Sequence, residues 1–231
     1  MQAFRSQKLK LLAFVCALLA PVCMLLAPAA AQTDSRAQNL AAAVDKKYNH
    51  LASLKMDFVE VYRGAGRERT ESGTLMLKKP GRMRWDYRQP REKLFVSDGK
   101  TAYFYVPGER QARKASVKKI DDLRSPLRYL LGKTKLADEF PGLAVAEDVP
   151  QTSPSNVTLR GVPKRMADRV QQVLFEITPE NRIQRITIEE TDGSVTEFQF
   201  SNIAENAAVE EAAFHFTRPA GVELIESHEL E

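Results

Sequence analysis

The chain has 231 residues, with 34 Lys and Arg against 30 Asp and Glu, and two cysteines. Three of the cations and both cysteines, Cys16 and Cys23, lie in the first 31 residues, which leaves 31 basic against 30 acidic side chains in the remainder. This balance gives no electrostatic basis for nucleic-acid binding, and the lack of cysteine in residues 32–231 excludes a thiol nucleophile, a disulfide and a cysteine metal site there.

The N-terminal segment has the organisation of a targeting signal. Its three cations precede an apolar run, Leu11–Leu26, which Pro21 interrupts, and Ala29–Ala31 supply the small residues that signal peptidase requires. We therefore predict a cleaved secretory signal peptide over residues 1–31, with an uncleaved N-terminal anchor as the alternative. The following residues, 32–231, are enough for a single domain with a sizeable core.

A helix is predicted at the start of this domain. Apolar residues recur there at steps of three and four, which places them on one helical face: Ala37, Leu40, Ala41, Val44, Tyr48 and Leu51. The opposite face is polar. Such an amphipathic helix has to pack its apolar face against the rest of the protein.

The period then changes from helical to two, which is typical of strands. Runs with this alternation are 56–62, 73–79, 82–88, 93–97 and 101–106, followed later by 156–160, 170–178, 182–190 and 195–201. The pairs Asp98-Gly99 and Asp192-Gly193 are strong hairpin signals between neighbouring runs. The pattern predicts antiparallel pairing.

Two further helical regions are predicted. Leucines at helical spacing in Ile120–Leu131 indicate a pair of short helices broken at Pro126, and Asn206–Ala213 has the pattern of another short helix. Few helices, many strands and tight turns predict a mainly β fold, in which helices cover a strongly curved antiparallel sheet.

The sequence shows no catalytic constellation. His50, His215 and His228 have no metal-ligand spacing, no GxSxG elbow is present, and Gly64-Ala65-Gly66 precedes no helix that could bind phosphate. We therefore predict no catalytic residues, no metal site and no cofactor.

The stretch RMRWDYR, Arg82–Arg88, separates its side chains by alternation. Met83, Trp85 and Tyr87 face one side of a strand and the arginines face the other, whereas a single-strand nucleic-acid platform needs both on one surface. The apolar side can be a packed core or the wall of a cavity, and the pattern alone does not distinguish these. The basic stretch Arg110–Lys119 is either a solvated loop or a docking surface.

Two blocks carry a resemblance to a known family. They are GTLMLKKPGRMRWDYRQPREKLFVSDGKTAYFYVPGERQ, Gly73–Gln111, and AAFHFTRPAGVELIE near the C-terminal end. Their order of a glycine-led strand, K-[KR]-P, a tryptophan strand, a Q-P turn, VSDGK and a phenylalanine pair before proline resembles the periplasmic lipoprotein carriers, the LolA-type chaperones of Gram-negative bacteria.

The resemblance implies an unclosed antiparallel β-barrel with a lid of short α-helices over an apolar cavity. It implies a periplasmic monomer that shields the acyl chains of lipoproteins, receives them from an inner-membrane ABC transporter and delivers them to an outer-membrane lipoprotein receptor. The alternative is a periplasmic lipid- or peptide-binding regulatory domain of the same fold.

The resemblance also implies the binding residues. The acyl cavity would be lined by Phe58, Leu75, Met83, Trp85, Tyr87, Phe95 and Phe104 from the sheet, and by Leu127 and Leu130 from the lid. The family commonly has an arginine latch to the lid where this chain has Lys79. Because lysine offers a point charge in place of a planar fork, a latch with several bonds is open to question.

Overall fold

The computed structural model describes residues 29–117, 130 and 135–227. Most of the predicted signal peptide and of the predicted helix pair Ile120–Leu131 lies outside these residues. The single-domain organisation of residues 32–231 therefore stays a prediction. Among the described residues, no helix is both long and apolar enough to cross a membrane.

The predicted N-terminal helix and the strands that follow it are present. In chain order the elements are α1 (Ala29–His50), β1 (Ser53–Gly64), β2 (Arg67–Lys78), β3 (Arg82–Gln89), β4 (Lys93–Ser97), β5 (Thr101–Tyr105), β6 (Gln111–Ser116), α2 (Leu136–Glu139), β7 (Ala144–Val145), β8 (Val157–Gly161), β9 (Val170–Ile177), β10 (Ile183–Glu190), β11 (Val195–Glu205), a 3-10 helix (Glu211–Phe214) and β12 (Glu223–Glu226).

Over the described part of the chain, the twelve strands form one open sheet in the order β12-β6-β5-β4-β3-β2-β1-β11-β10-β9-β8-β7. All neighbours are antiparallel except β12 and β6, which run parallel. The long hairpin of β1 and β2 lies at the centre, and β11 returns to pair with β1. The prediction of a mainly β fold with an unclosed antiparallel sheet is confirmed.

The hairpin turns form for the reasons that the sequence indicates. At Asp98-Gly99 the aspartate Oδ1 accepts the backbone N–H groups of Lys100 and Thr101 at 2.7 and 2.8 Å, and the glycine has φ +94°. Positive φ at this place favours glycine over every other residue. The turn fixes the register in which Phe95 pairs with Phe104.

Two predictions of local structure are wrong. Residues 206–210 are not helical, and only Glu211–Phe214 form a short 3-10 helix. The loop alternative for the basic stretch does not hold over residues 111–116, which form β6 and are paired by β5 and β12 on both sides. Lys118 and Lys119 lie outside the described residues.

Candidate functional site

The predicted cavity residues of the sheet lie together on one face, which we call the inner face. Cross-strand pairing aligns four of them in an unbroken row over β2 to β5, the aromatic row, made of Leu75, Trp85, Phe95 and Phe104. The first three are buried and Phe104 packs against the same core. Trp85 is only 1% exposed.

Parallel rows flank the aromatic row on the inner face. On one side lies the aliphatic row, Leu54, Leu77 and Met83. On the other side lies the mixed row, Phe58, Gly73, Tyr87 and Lys93, and beyond it the charged row, in which Glu60 stands directly opposite Glu71. The inner face therefore changes from aliphatic to charged over four rows.

Gly73 brings the aromatic rings of the mixed row together. It lies on β2 between Phe58 and Tyr87, whose ring centroids are 5.0 Å apart at 80°. A Cβ at this place would lie 1.9 Å from the backbone oxygen of Asp86. Since no side chain fits there, the rings of the two neighbouring strands meet across the glycine.

The ring cluster centres on Phe58 and Trp85. Their centroids are 4.6 Å apart in an edge-to-face arrangement, and Phe198 of β11 contacts Trp85 at 5.8 Å. Edge-to-face contacts of this kind each contribute about 0.5–1.5 kcal/mol beyond burial. The predicted residues thus pack against one another in this structure.

Charged groups occupy the far end of the inner face. Lys93 Nζ donates to Glu71 Oε2 at 2.6 Å and lies 4.5 Å from the centre of the Tyr87 ring. The Tyr87 hydroxyl donates to Glu60 Oε2 at 3.0 Å. The Glu71 side chain is 6% exposed, so this ion pair is buried next to the aromatic rings.

Helix α1 covers the inner face with its predicted apolar side. Ala37, Ala41, Val44 and Tyr48 are all buried in the same core. The Tyr48 hydroxyl accepts the backbone N–H of Ile183 at 2.9 Å, and burial is the main cause that raises the pKa of this hydroxyl. The Asp45 carboxylate accepts the N–H of Leu136, which links α1 to the start of α2.

Lys79 joins the sheet to the end of α1. Its Nζ donates to the carbonyl oxygens of Tyr48 and Asn49 at 2.7 and 2.8 Å. A cation at this place adds to the 3.3 Å bond that the Tyr48 carbonyl accepts from the Leu51 N–H, and it opposes the negative end of the helix dipole. Burial lowers the pKa of Lys79. Lysine therefore makes two backbone bonds at the position where the family commonly has an arginine.

The space beneath Lys79 is small. A cavity of about 10 Å³ lies between Leu51, Leu54, Leu77 and Leu130. This volume holds one water molecule at most, whereas pockets for organic ligands measure roughly 300–1,000 Å³. An acyl chain can enter here only if the covering helix, α1, moves away from the sheet. Leu130 is buried at this contact, and Leu127 lies outside the described residues.

The outer face of the same strands binds part of the chain itself. Residues 207–217, the crossing segment, pass over β2 to β5. Arg84 Nη1 donates to the Ala213 carbonyl at 3.0 Å, Lys78 Nζ donates to the Val209 carbonyl at 2.6 Å, and Phe216 stacks on Tyr103 at 4.9 Å. The arginine side of β3 is opposite the aromatic side, as predicted, but it is partly covered.

Sequence reasoning missed the charged end of the inner face. Glu60 and Lys93 each lie two residues from a predicted cavity residue, Phe58 and Phe95, so strand alternation alone was a usable signal. The bonds from Arg84 and Lys78 to the crossing segment gave no such signal, because their acceptors are backbone carbonyls.

Comparison with known proteins identifies the family. Residues 49–217 match the family model described as outer membrane lipoprotein carrier protein LolA. The chain belongs to this family. LolA-family membership makes it a lipoprotein carrier at the level of the family, a binding protein and not an enzyme.

Relatives in the LolA family include two outer-membrane lipoprotein carrier proteins. One, from Nitrosospira multiformis, is 28% identical over 178 residues, covering 75% of this chain and 82% of the relative. The other, from Salmonella typhi, is 28% identical over 218 residues, covering 94% and 98%. A solved structure of a LolA superfamily protein from Nitrosomonas europaea covers 78% of this chain and 97% of that one, at 12% identity and a TM-score of 0.44.

Proposed function

We propose that the protein carries acylated lipoproteins across the periplasm, from an inner-membrane ABC transporter to an outer-membrane lipoprotein receptor, after export by the signal peptide. The observation that carries this proposal is the inner face, where the aromatic and aliphatic rows share one buried core with the apolar side of α1, and Lys79 holds the end of that helix through two hydrogen bonds. Membership of the lipoprotein carrier family supports the cargo.

The apolar character of the inner face suits this cargo. Burying one methylene contributes about 0.8 kcal/mol, so an acyl chain of about fifteen methylenes costs roughly 12 kcal/mol to leave in water. A carrier has to offset most of this cost and still release the chain. The contacts of the inner face are suited to that, since dispersion and ring contacts are individually weak and can be exchanged for contacts with a ligand.

Opening and closing of the cover would control loading. In the closed arrangement the rings contact one another and Lys79 binds the last turn of α1. Cargo competes with these internal interactions, so its net affinity is the free energy of binding to the open inner face less the free energy of opening the cover. We propose that Lys79 acts as the latch, and that Met83 and the aromatic row contact the acyl chains.

The test is retention and transfer of cargo. The mature protein is incubated with a purified triacylated lipoprotein and, as a matched control, with the same polypeptide lacking its acylated cysteine. Gel filtration and mass spectrometry identify the complex, and outer-membrane vesicles carrying or lacking the receptor serve as acceptors. We expect retention of the acylated form alone and receptor-dependent delivery.

Two results would overturn this function. Equal retention of acylated and unacylated polypeptide would indicate a peptide-binding domain, the alternative regulatory role. Retention of the lipoprotein without any delivery to receptor-bearing vesicles would leave a lipid-binding domain that is not a carrier between membranes.

A further inference from the structure

The inner face contains a buried hydrogen-bond donor with no acceptor. Trp85 Nε1 is excluded from solvent, and no oxygen or nitrogen in the described part of the structure accepts its N–H. The other described side-chain atoms in this condition belong to Glu139, Thr158, Arg160 and Glu176, none of which lies on β1–β5. Trp85 is therefore exceptional among the described residues of these five strands.

An indole N–H without an acceptor is costly. Leaving a buried donor unsatisfied costs about 1–3 kcal/mol, and tryptophan N–H groups in protein interiors usually find a partner. Three rings contact the indole, Phe58, Tyr87 and Phe198, and they offer no strong acceptor. The polar groups nearby already bind one another, because Tyr87 donates to Glu60 and Lys93 to Glu71.

The position of this donor within the four rows is informative. The aliphatic row lies on one side of Trp85 and contains hydrocarbon side chains together with the thioether of Met83. The mixed and charged rows lie on its other side and contain a hydroxyl, an ammonium and two carboxylates. Trp85 is thus at the boundary between the apolar part of the inner face and its polar part.

A lipid acyl group has the same order of chemistry. A hydrocarbon chain ends at a carbonyl oxygen, which is an acceptor without a donor, and polar groups follow. We propose that Trp85 Nε1–H donates to the carbonyl oxygen of a bound acyl group and so sets the orientation of the lipid, with its hydrocarbon chain on the aliphatic row and its polar end towards Lys93 and Glu71. This inference rests on the proposed function, since it requires that the inner face takes up acyl chains.

The proposal predicts a preference for carbonyl-bearing lipids over matched lipids that lack the carbonyl. The probes are 1-lauroylglycerol, an ester, and 1-O-dodecylglycerol, the ether with the same chain length and head. One hydrogen bond contributes about 0.5–1.5 kcal/mol, so the mature protein should bind the ester about two- to tenfold more tightly than the ether.

Trp85→Phe removes the donor and keeps an aromatic ring, and should bring the ratio of the two affinities to about one. The matched control is Phe58→Leu, which removes a ring from the same cluster and leaves the indole in place. Its affinity for both lipids should fall together, so that the ratio stays that of the unchanged protein. A preference for the ester that persists in Trp85→Phe would overturn the assignment.

A second measurement does not depend on any variant. The chain has a single tryptophan, so its indole N–H gives one cross-peak in a ¹H–¹⁵N spectrum. On saturation with the ester, the indole proton should move downfield, as a proton does when it enters a hydrogen bond, and the ether should not cause this shift. Identical shifts with both lipids would overturn the proposal.

Failure of the inference differs from failure of the proposed function. If the ester and the ether bind equally and shift the indole proton equally, the inner face takes up hydrocarbon chains without a hydrogen bond to the carbonyl. Only the inference is then wrong. If neither lipid binds the unchanged protein, the proposed uptake of acyl chains is wrong and the inference falls with it.

Discussion

The two faces of β3 perform different tasks with neighbouring residues. On the inner face, Trp85 and Tyr87 make ring contacts, and the aromatic row continues from one strand to the next. On the outer face, Arg84 binds Asp86 through two nitrogens at 2.7 and 2.8 Å and also holds the Ala213 carbonyl. Apolar contacts lack fixed directions, whereas the arginine bonds are directional.

This difference separates contacts that another apolar partner can replace from contacts that depend on one particular partner. Ring and aliphatic contacts can be replaced by similar contacts with an acyl chain, because the hydrophobic effect depends on area and not on partner. The outer bonds attach specific chain segments to the sheet. The same arrangement occurs on β9, where Glu176 binds Thr152 and Asn156 and so fixes the loop that contains them.

The largest expected effect is on the inner face. Phe58→Ala should lower the free energy of unfolding by about 3–5 kcal/mol, because it empties the centre of the ring cluster. Val59→Ala is the matched control on the opposite face of the same strand, with a side chain 38% exposed, and should change stability by less than about 0.5 kcal/mol. Urea unfolding followed by circular dichroism measures both. Equal losses would contradict the distinction between the faces.

The second largest loss of stability is expected at the charged end of the inner face. Lys93→Met should cost about 3 kcal/mol, since it removes the nearer cation from the buried Glu71 carboxylate and leaves only the exposed Arg69, whose Nε lies 3.5 Å away. Adding Glu71→Gln should recover most of this loss. Arg91→Met removes an exposed pair with Glu109 at 3.1 Å and should cost at most about 1 kcal/mol. If the double variant is no more stable than Lys93→Met, the pair is not the cause.

The pH dependence of stability tests the role of Glu176 on the outer face. Burial raises the pKa of this carboxyl, but the hydrogen bonds from Thr152 and Asn156 and the charge of Arg185 outweigh burial and leave the pKa below its ordinary value. A lowered pKa in the folded state stabilises the protein above pH 4.5, and this contribution is lost as pH falls through the folded-state value.

Glu176→Gln should therefore cost about 2 kcal/mol at neutral pH and have less effect in acid. Unfolding midpoints of both proteins between neutral pH and about pH 3 measure the difference. A gap between the two curves that does not narrow in acid would show that the charge of Glu176 does not hold the loop.

Arg84→Met should have a smaller and local effect. It removes the bond to the Ala213 carbonyl, which we expect to cost about 1 kcal/mol and to speed amide hydrogen exchange in residues 207–217. Arg88→Met on the same face of β3 is the control, because Arg88 is exposed and should leave exchange unchanged. Unaltered exchange in Arg84→Met would mean that Arg84 does not hold the crossing segment.

Lys79→Arg should have the smallest effect on the free energy of unfolding, and its main effect should be on the rate of lipid release. Both side chains can donate to the carbonyls of Tyr48 and Asn49, so the free energy of unfolding should change by less than about 0.5 kcal/mol. The planar fork of arginine changes the geometry of the latch, and the rate of lipid release should change with it. Stopped-flow transfer of a fluorescent lipid to vesicles measures this rate, and equal rates would exclude Lys79 as the latch.

Much of this arrangement could be predicted from local pattern. Alternation in Arg82–Arg88 separates the two faces of β3, and Asp98-Gly99 sets the hairpin that aligns Phe95 with Phe104. The crossing segment could not be predicted, because Arg84 and Ala213 are 129 residues apart and the bond uses a backbone oxygen. The false helix at Asn206–Ala213 has the same cause, since Lys78 binds the Val209 carbonyl that a helix would use internally.

The central claim is that acyl chains bind on the inner face beside Trp85. Because this is the chain's single tryptophan, its emission reports on that face directly. The mature protein is titrated with a triacylated lipopeptide and with the same peptide lacking acyl groups. We expect a saturable change in Trp85 emission with the lipopeptide alone. Emission that stays constant while the lipopeptide binds, or that changes equally with both peptides, would contradict the account.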